Sequence, residues 1–77
     1  MKTKYKYIYF EKSIEPENYH CYGNETDKIF GWIEYKEEWR KFVYQTVYGM
    51  TASAEILDDI SHFLKQLNRT KGCYKTK

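Results

Sequence analysis

The chain has little of what marks secreted, membrane-spanning or low-complexity proteins, with one proline, two cysteines and four glycines among 77 residues. No apolar run approaches the roughly 20 residues that cross a bilayer as a helix. The N-terminal stretch MKTKYKYIYF has lysines and tyrosines where a signal peptide needs an apolar core. We therefore expect a soluble cytoplasmic protein in which Cys21 and Cys73 stay reduced, although these two cysteines could form one disulfide.

Groups that carry catalysis are also scarce. The chain has two histidines and no glycine-rich loop that would cradle a phosphate. His20 and Cys21 are adjacent, and adjacent residues of a strand point to opposite faces, which disfavours a nucleophile and its base. His20, Cys21, His62 and Cys73 have no recognised metal-ligand spacing. We expect no enzyme, no metal, no cofactor and no small-molecule substrate.

What the chain does have is aromatic side chains, which make up 19% of the residues and include nine tyrosines. Large flat side chains bury much area per residue, and this helps a short chain to form a core. The length is that of a single small domain over residues 1–77. The formal net charge of +2 is uneven, because both ends are basic and the middle is acidic.

The segment from Thr51 to Asn68 has the clearest periodicity. Its apolar residues follow one helical stripe at Ile56, Leu57, Ile60, Phe63, Leu64 and Leu67. Thr51 or Ser53 is suited to cap the start, so the pattern predicts a helix over about 52–68. The basic tail 69–77 has no periodicity, and we expect it to be flexible.

The remaining apolar segments alternate like strands. We predict strands over about 4–10, 28–36 and 39–47, the last two forming a hairpin over about 28–47. Residues 11–27 read as a long loop, with a short edge strand at Tyr19–Tyr22 as an alternative. An amphipathic helix that has no second helix to pack against must bury its apolar stripe on the sheet. The predicted fold class is α+β, a three-stranded antiparallel sheet, four-stranded with that alternative, with one C-terminal helix on one face.

Alternation also assigns side chains to the two faces of this sheet. A glycine inside a strand usually marks a bulge or a close approach, so we place Gly31, with Ile33, Tyr35, Phe42 and Tyr44, under the helix. An aromatic set then lies on the opposite face, comprising Phe30, Trp32, Trp39 and Val43. An exposed patch of this kind usually marks a contact surface. Two structural alternatives are a register one residue away, which would swap the faces, and a loop 11–27 folded over the patch through Ile14, Tyr19 and Tyr22.

Two functional classes fit these observations. The first is a binding protein that uses the aromatic set to self-associate as a homodimer or to dock on a host protein. The second is a nucleic-acid binder, since three strands followed by a helix resemble the small sheet-in-groove domains of integrase N-termini. Lys4, Lys6, Arg40 and Lys41 would then contact phosphates, and Trp39 would stack on a base. Glutamates share the hairpin with these cations, so we rank the second class below the first.

The hairpin and the helix carry a further resemblance. The relevant residues are Gly31, Ile33, Tyr35, Trp39, Arg40, Phe42, Val43, Tyr44, Thr51, Ser53, Ile56, Leu57, Asp59, Ile60, Phe63, Leu64, Leu67 and Asn68. In this spacing the chain resembles small phage and prophage proteins of unassigned activity. The resemblance implies a sheet-plus-helix fold and an origin in a mobile element. Short phage proteins often bind and block a host factor. The resemblance therefore also favours the first class, and it implies that the chain inhibits the host protein that it binds.

Overall fold

The fold is an open four-stranded antiparallel sheet with one C-terminal helix, in strand order β1-β2-β3-β4. The computed structural model describes residues 1–14 and 18–75, with side chains described as far as residue 69. The elements are β1 (Ile8–Lys12), β2 (Tyr19–Gly23), β3 (Ile29–Lys36), β4 (Lys41–Thr46) and α1 (Ala54–Lys75). The predicted α+β class is confirmed in its four-stranded form.

The first strand lies later in the chain than its alternation predicts. The chain bends at residues 6–7, and residues 3–5 fold back along β1, where the Phe10 N–H donates to the Thr3 carbonyl at 2.9 Å. Asn24 fixes this bend, because its side-chain amide donates to the carbonyls of Tyr5 and Lys6. The prediction of one strand over 4–10 was wrong. The alternation continues through the bend and does not reveal it, and Asn24, which holds the bend, is distant in sequence.

The segment predicted as a loop over 11–27 contains part of β1 and all of β2. The alternative strand at Tyr19–Tyr22 is confirmed as β2, but its expected edge position was wrong. β2 pairs with β1 on one side and with β3 on the other, which makes it an interior strand. Tyr19 lies on the helix side and Tyr22 on the opposite side, so the described residues of this segment extend the sheet and do not cover it.

The core lies between α1 and one face of the sheet. Phe63 is fully buried, with its ring stacked on Phe10 at 4.0 Å and touched edge-on by Tyr19 at 5.3 Å. Ile33 and Phe42 are buried beneath the helix as predicted, and Tyr35 and Tyr44 pack against the same cluster. The helical stripe is confirmed except at one residue, Leu57, whose side chain is 53% exposed.

Gly31 lies where a bulge and a close approach coincide. The β2–β3 register moves from Cys21↔Gly31 to Tyr22↔Ile29, which leaves Phe30 as the extra residue of β3. A bulge interrupts the alternation of side chains and can re-aim one of them. Phe30 accordingly packs against the core cluster. Its placement on the face opposite the helix was therefore wrong, although the faces of the other hairpin residues follow the predicted register.

The helix begins close to the predicted start and ends later than predicted. The Ser53 hydroxyl accepts a hydrogen bond from the Ile56 N–H at 3.3 Å, so Ser53 is the N-cap. The helix continues to Lys75, beyond the end at about residue 68 that the apolar stripe predicts. An apolar stripe is not needed for a helix to continue, because each added residue contributes a backbone hydrogen bond. Residues 76–77 lie outside the described part of the chain.

Candidate binding surface on the open sheet face

The face of the sheet opposite α1 is the candidate binding surface, and we call it the open face. Within residues 1–14 and 18–75, no helix or strand packs over it. Its members follow from the alternation and pairing of the strands, and they are Tyr9, Glu11, His20, Tyr22, Ile29, Trp32, Glu34, Lys36, Lys41, Val43 and Gln45. Four strands contribute to it, so it spans the width of the sheet.

Cross-strand pairs divide the open face into chemically different rows. Tyr9 pairs with Tyr22 at one end, where the face is aromatic. The next row crosses all four strands and consists of Glu11, His20, Trp32 and Gln45. Glu34 then faces Val43, and Lys36 faces Lys41 at the opposite end. The face therefore changes from aromatic to cationic along the strands, with two carboxylates between.

The aromatic end of the open face is fixed by contacts of Tyr9 with its neighbours. The rings of Tyr9 and Tyr22 stack with their centroids 5.4 Å apart and an interplanar angle of 25°. The Tyr9 hydroxyl donates to the Asp27 carboxylate at 2.8 Å. This hydrogen bond is the main cause that raises the pKa of Tyr9 to about 12. Asp27 adopts a left-handed backbone with φ of 57°, which aspartate tolerates better than most residues. The Tyr9 hydroxyl thus stays protonated as a donor at neutral pH.

Trp32 and Val43 occupy the middle of the open face. Both side chains are half-buried, because their neighbours on the face shield part of each. Trp32 faces Gln45, and Val43 is its diagonal neighbour on β4, a distance that a tryptophan side chain can bridge. The Gln45 amide donates weakly to Glu34 at 3.4 Å. An apolar centre with polar neighbours is the usual anatomy of a protein-binding patch.

The tip of the β3–β4 hairpin extends the surface. Trp39 is 60% exposed, and the Lys36 ammonium lies 5.4 Å from the centre of its ring. Arg40 has a left-handed backbone with φ of 55°, a conformation that glycine adopts at lower energy. Its guanidinium makes no hydrogen bond or ion pair with the residues that the structure describes. The tip thus presents a tryptophan and an arginine to the surroundings.

Three of the four residues predicted for partner binding are placed on or beside the open face. Trp32 and Val43 lie on it, Trp39 lies at its tip, and Phe30 lies on the helix side. The sequence reading missed His20 and Tyr22 because residues 11–27 were taken as a loop, and it missed Tyr9 because the buried face of the first strand was left unassigned. The alternation of Tyr19, His20, Cys21 and Tyr22 was the signal that could have found the last two.

The cations predicted for nucleic-acid contact do not form one patch. Lys4 pairs with the outer side of β1, and Lys6 lies over the Tyr7 ring at 5.3 Å. Arg40 and Lys41 lie at the hairpin tip beside β4, the opposite edge of the sheet. Three strand spacings of about 4.8 Å separate the two edges, about 14 Å in all.

Residues considered for catalysis or metal binding are also separated. Cys21 is fully buried beneath the helix, whereas His20 is on the open face. Burial raises the pKa of the Cys21 thiol to about 12, and the Tyr44 hydroxyl that contacts it offsets only part of this effect. His62 is hydrogen-bonded to the Tyr5 hydroxyl at 2.8 Å. Among the described residues, no three histidine, cysteine or acidic side chains converge as metal ligands.

Comparisons with protein-family models, with curated proteins and with solved structures find no match to this chain. In the part of the chain that the structure describes, no helix combines the length and the hydropathy needed to span a membrane. Any assignment of function therefore depends on the open face and its neighbouring residues.

Proposed function

We propose that this chain is a small non-catalytic binding protein that docks on another protein through the open face. The observation that carries the proposal is the open face, with Trp32 in its middle and the Tyr9–Tyr22 pair at one end, over which no helix or strand of the described residues packs. The other face of the sheet already forms the core. Tryptophan, tyrosine and arginine are the residues that most often dominate the energy of protein interfaces. The open face and its tip hold all three types.

The expected partner is a cytoplasmic host protein, in keeping with the resemblance of residues 31–68 to small phage and prophage proteins. Binding would block a surface of that host protein, so inhibition is the proposed consequence. Self-association through the same face is the other form of protein contact that the proposal includes. The mixed charges of the open face, with Glu11 and Glu34 beside Lys36 and Lys41, favour a protein surface over a polyanion.

The hairpin tip belongs to the proposed surface. The Arg40 backbone is left-handed within the turn, where its N–H donates to the Glu37 carbonyl at 3.2 Å. Its side chain is exposed and follows the exposed Trp39 directly. Arginine and tryptophan often anchor protein interfaces. We therefore include both residues among those that contact the partner.

The test has two stages, and its variants are matched. A partner captured from host lysate is identified, purified and titrated with wild-type protein and with the Trp32→Ala and Tyr22→Ala variants. We expect each variant to lose at least about tenfold in affinity, as removal of an interface anchor does. Leu57→Ala is the control, because Leu57 is an exposed apolar residue on the helix.

Two results would refute the proposal. One is an affinity that is unchanged in both open-face variants, and the other is an equal loss in the Leu57 control. Circular dichroism of each variant must match the wild type, so that a loss of affinity is not a loss of folding.

Nucleic-acid binding is the second candidate, and the stacked Tyr9 and Tyr22 rings favour it, since bases stack on such platforms. The carboxylates on the open face and the separation of the cations between two edges of the sheet disfavour nucleic-acid binding. Fluorescence anisotropy with a labelled single-stranded oligonucleotide distinguishes the two candidates. Binding that weakens steeply with salt and is lost in Arg40→Ala and Lys41→Ala would reverse their ranking.

A further inference from the structure

The two edges of the sheet differ in whether another segment of the chain pairs with them. The outer edge of β1 is covered by the N-terminal segment, through the Phe10 N–H to Thr3 and the Tyr5 N–H to Ile8, each at 2.9 Å. The outer edge of β4 has no strand beside it among the described residues. An uncovered edge offers unpaired backbone groups to another strand.

The Asn68 side chain shows which backbone groups of β4 point outward. Its Oδ1 accepts from the Phe42 N–H at 2.6 Å, and its Nδ2 donates to the Phe42 carbonyl at 3.4 Å. Both backbone groups of Phe42 therefore point away from β3. Since this direction alternates along a strand, the groups of Tyr44 and Thr46 also point outward. The Val47 N–H, which has the other parity, donates inward to the Phe30 carbonyl at 2.9 Å.

After Lys41, the one charged residue of β4, this edge lacks the features with which proteins usually prevent strand pairing. Natural edges carry charges, a proline or a bulge. Residues 42–48 read FVYQTVY, which contains no charge and no proline and is rich in β-branched and aromatic residues. Gln45 and Thr46 are exposed. Among the side chains that the structure describes, that of Asn68 makes the hydrogen bonds to this edge, at Phe42.

We propose that a second copy of this chain pairs with β4 along this edge, antiparallel and about a two-fold axis at Gln45. Tyr44 then faces Thr46 of the second copy, and Thr46 faces Tyr44, so that both pairs exchange backbone hydrogen bonds. The next pair would join Phe42 to Tyr48, where Asn68 already holds the Phe42 backbone. Asn68 thus limits the ladder at both ends and excludes any register that would pair the Phe42 backbone.

The dimer would join the two four-stranded sheets into one. Because its two-fold axis is perpendicular to the sheet, both open faces lie on the same side and both helices on the other. The inference uses a different surface from the proposed function and does not depend on it. A partner with two sites would gain avidity from the joined faces.

Sedimentation equilibrium over micromolar to millimolar concentrations tests the inference. We expect a reversible monomer–dimer equilibrium for the wild type and for Thr46→Val, which keeps the backbone N–H. Thr46→Pro removes that donor, and proline is tolerated on an edge strand, so this variant should be monomeric with an unchanged circular dichroism spectrum. Gln45→Lys places like charges opposite each other across the axis and should weaken the dimer at least about tenfold.

The inference is overturned if the wild type is monomeric throughout this range, or if folded Gln45→Lys dimerises like the wild type. A dimer that is retained in both Thr46→Pro and Gln45→Lys but lost in Trp32→Ala would instead locate self-association on the open face. That result would support the proposed function while rejecting the edge pairing. Loss of partner binding in Trp32→Ala, with dimerisation intact, would support both.

Discussion

At the scale of single residues, the packing around Gly31 leaves no room for a side chain. A Cβ at this position would lie 2.5 Å from the Tyr44 hydroxyl and closer still to the Gln45 carbonyl oxygen. The same hydroxyl contacts the buried Cys21 thiol. The absence of a side chain at Gly31 therefore lets Tyr44 reach across β3 toward β2.

We predict that Gly31→Ala destabilises the fold by about 3 kcal/mol or more, because the added methyl group meets backbone as well as side chain. Urea unfolding followed by circular dichroism measures this loss. Gly49→Ala is the control, since Gly49 has open space around its Cβ position and only its φ of 87° is unfavourable for alanine. That control should cost about 1 kcal/mol. Equal losses in the two variants would contradict the packing described for Gly31.

Arg40 gives a prediction of the opposite sign. Relief of its left-handed backbone by Arg40→Gly should raise the free energy of unfolding by about 0.5–1 kcal/mol. Arg40→Ala removes the same side chain but keeps the unfavourable φ, so it should not be stabilising. If Arg40 contacts the partner as proposed, both variants bind it more weakly. A loss of stability in Arg40→Gly would show that the guanidinium has a role within the fold.

At the scale of secondary-structure elements, single amides join segments that are distant in sequence. Asn24 joins the β2–β3 turn to the bend before β1, and Asn68 joins α1 to the backbone of β4. Asn68 places the C-terminal half of the helix beside the start of β4. It also provides the hydrogen bonds that an adjoining strand would otherwise provide to Phe42.

We predict that Asn68→Ala lowers the free energy of unfolding by about 1–2 kcal/mol, because it leaves two backbone groups of Phe42 without these partners. Asn68→Asp keeps an acceptor for the Phe42 N–H and should lose less. Lys65→Ala, at an exposed helix position, should have little effect. Thermal unfolding of the three variants measures the order. A stability of Asn68→Ala equal to that of the Lys65 control would refute this role.

The elements that sequence reasoning predicted well are those with uninterrupted periodicity. The apolar spacing of Ile60, Phe63 and Leu67 is enough to place the helix, and the alternation around Ile33 is enough to place β3. Residues 11–27 were harder, because proline, glycine and acids near β2 resemble a loop. The bend at residues 6–7 and the bulge at Phe30 depend on contacts across the fold, from Asn24 and from the β2–β3 register. Gly31 within the strand gives a local sign of the bulge, but neither its exact residue nor the bend at residues 6–7 follows from a local pattern.

At the scale of the whole molecule, the fold divides its aromatic residues between two faces. Phe10, Phe42 and Phe63 form the core with the aliphatic residues, whereas Trp32, Tyr22 and Tyr9 lie on the open face. The sequence reading anticipated this division for the hairpin, where alternation is regular. It could not anticipate how wide the open face is, since two of the four contributing strands were misplaced or taken as a loop.

We predict that the Tyr44 hydroxyl and the Cys21 thiol make the free energy of unfolding sensitive to alkaline pH. Burial raises the pKa of Tyr44 from 10.0 to about 12, and that of Cys21 from 9.0 to about 12. The unfolded chain therefore releases these protons first, and the free energy of unfolding falls as pH rises from about 9 to about 12. Urea midpoints over this range measure the fall. Tyr44→Phe should make it shallower, whereas Tyr48→Phe, at a fully exposed tyrosine, should leave it unchanged. If the fall in the free energy of unfolding with pH is the same in Tyr44→Phe as in the wild type, Tyr44 is not its cause.

The central claim is that the open face meets a protein partner, and site-specific photo-crosslinking tests it most directly. A photoreactive amino acid is placed at Glu34, in the middle of the open face, or at Leu57, on the exposed side of the helix. We predict that irradiation in host cells joins the chain to a defined protein from Glu34 and not from Leu57. Crosslinks from Leu57 alone, or equally from both positions, would contradict the account.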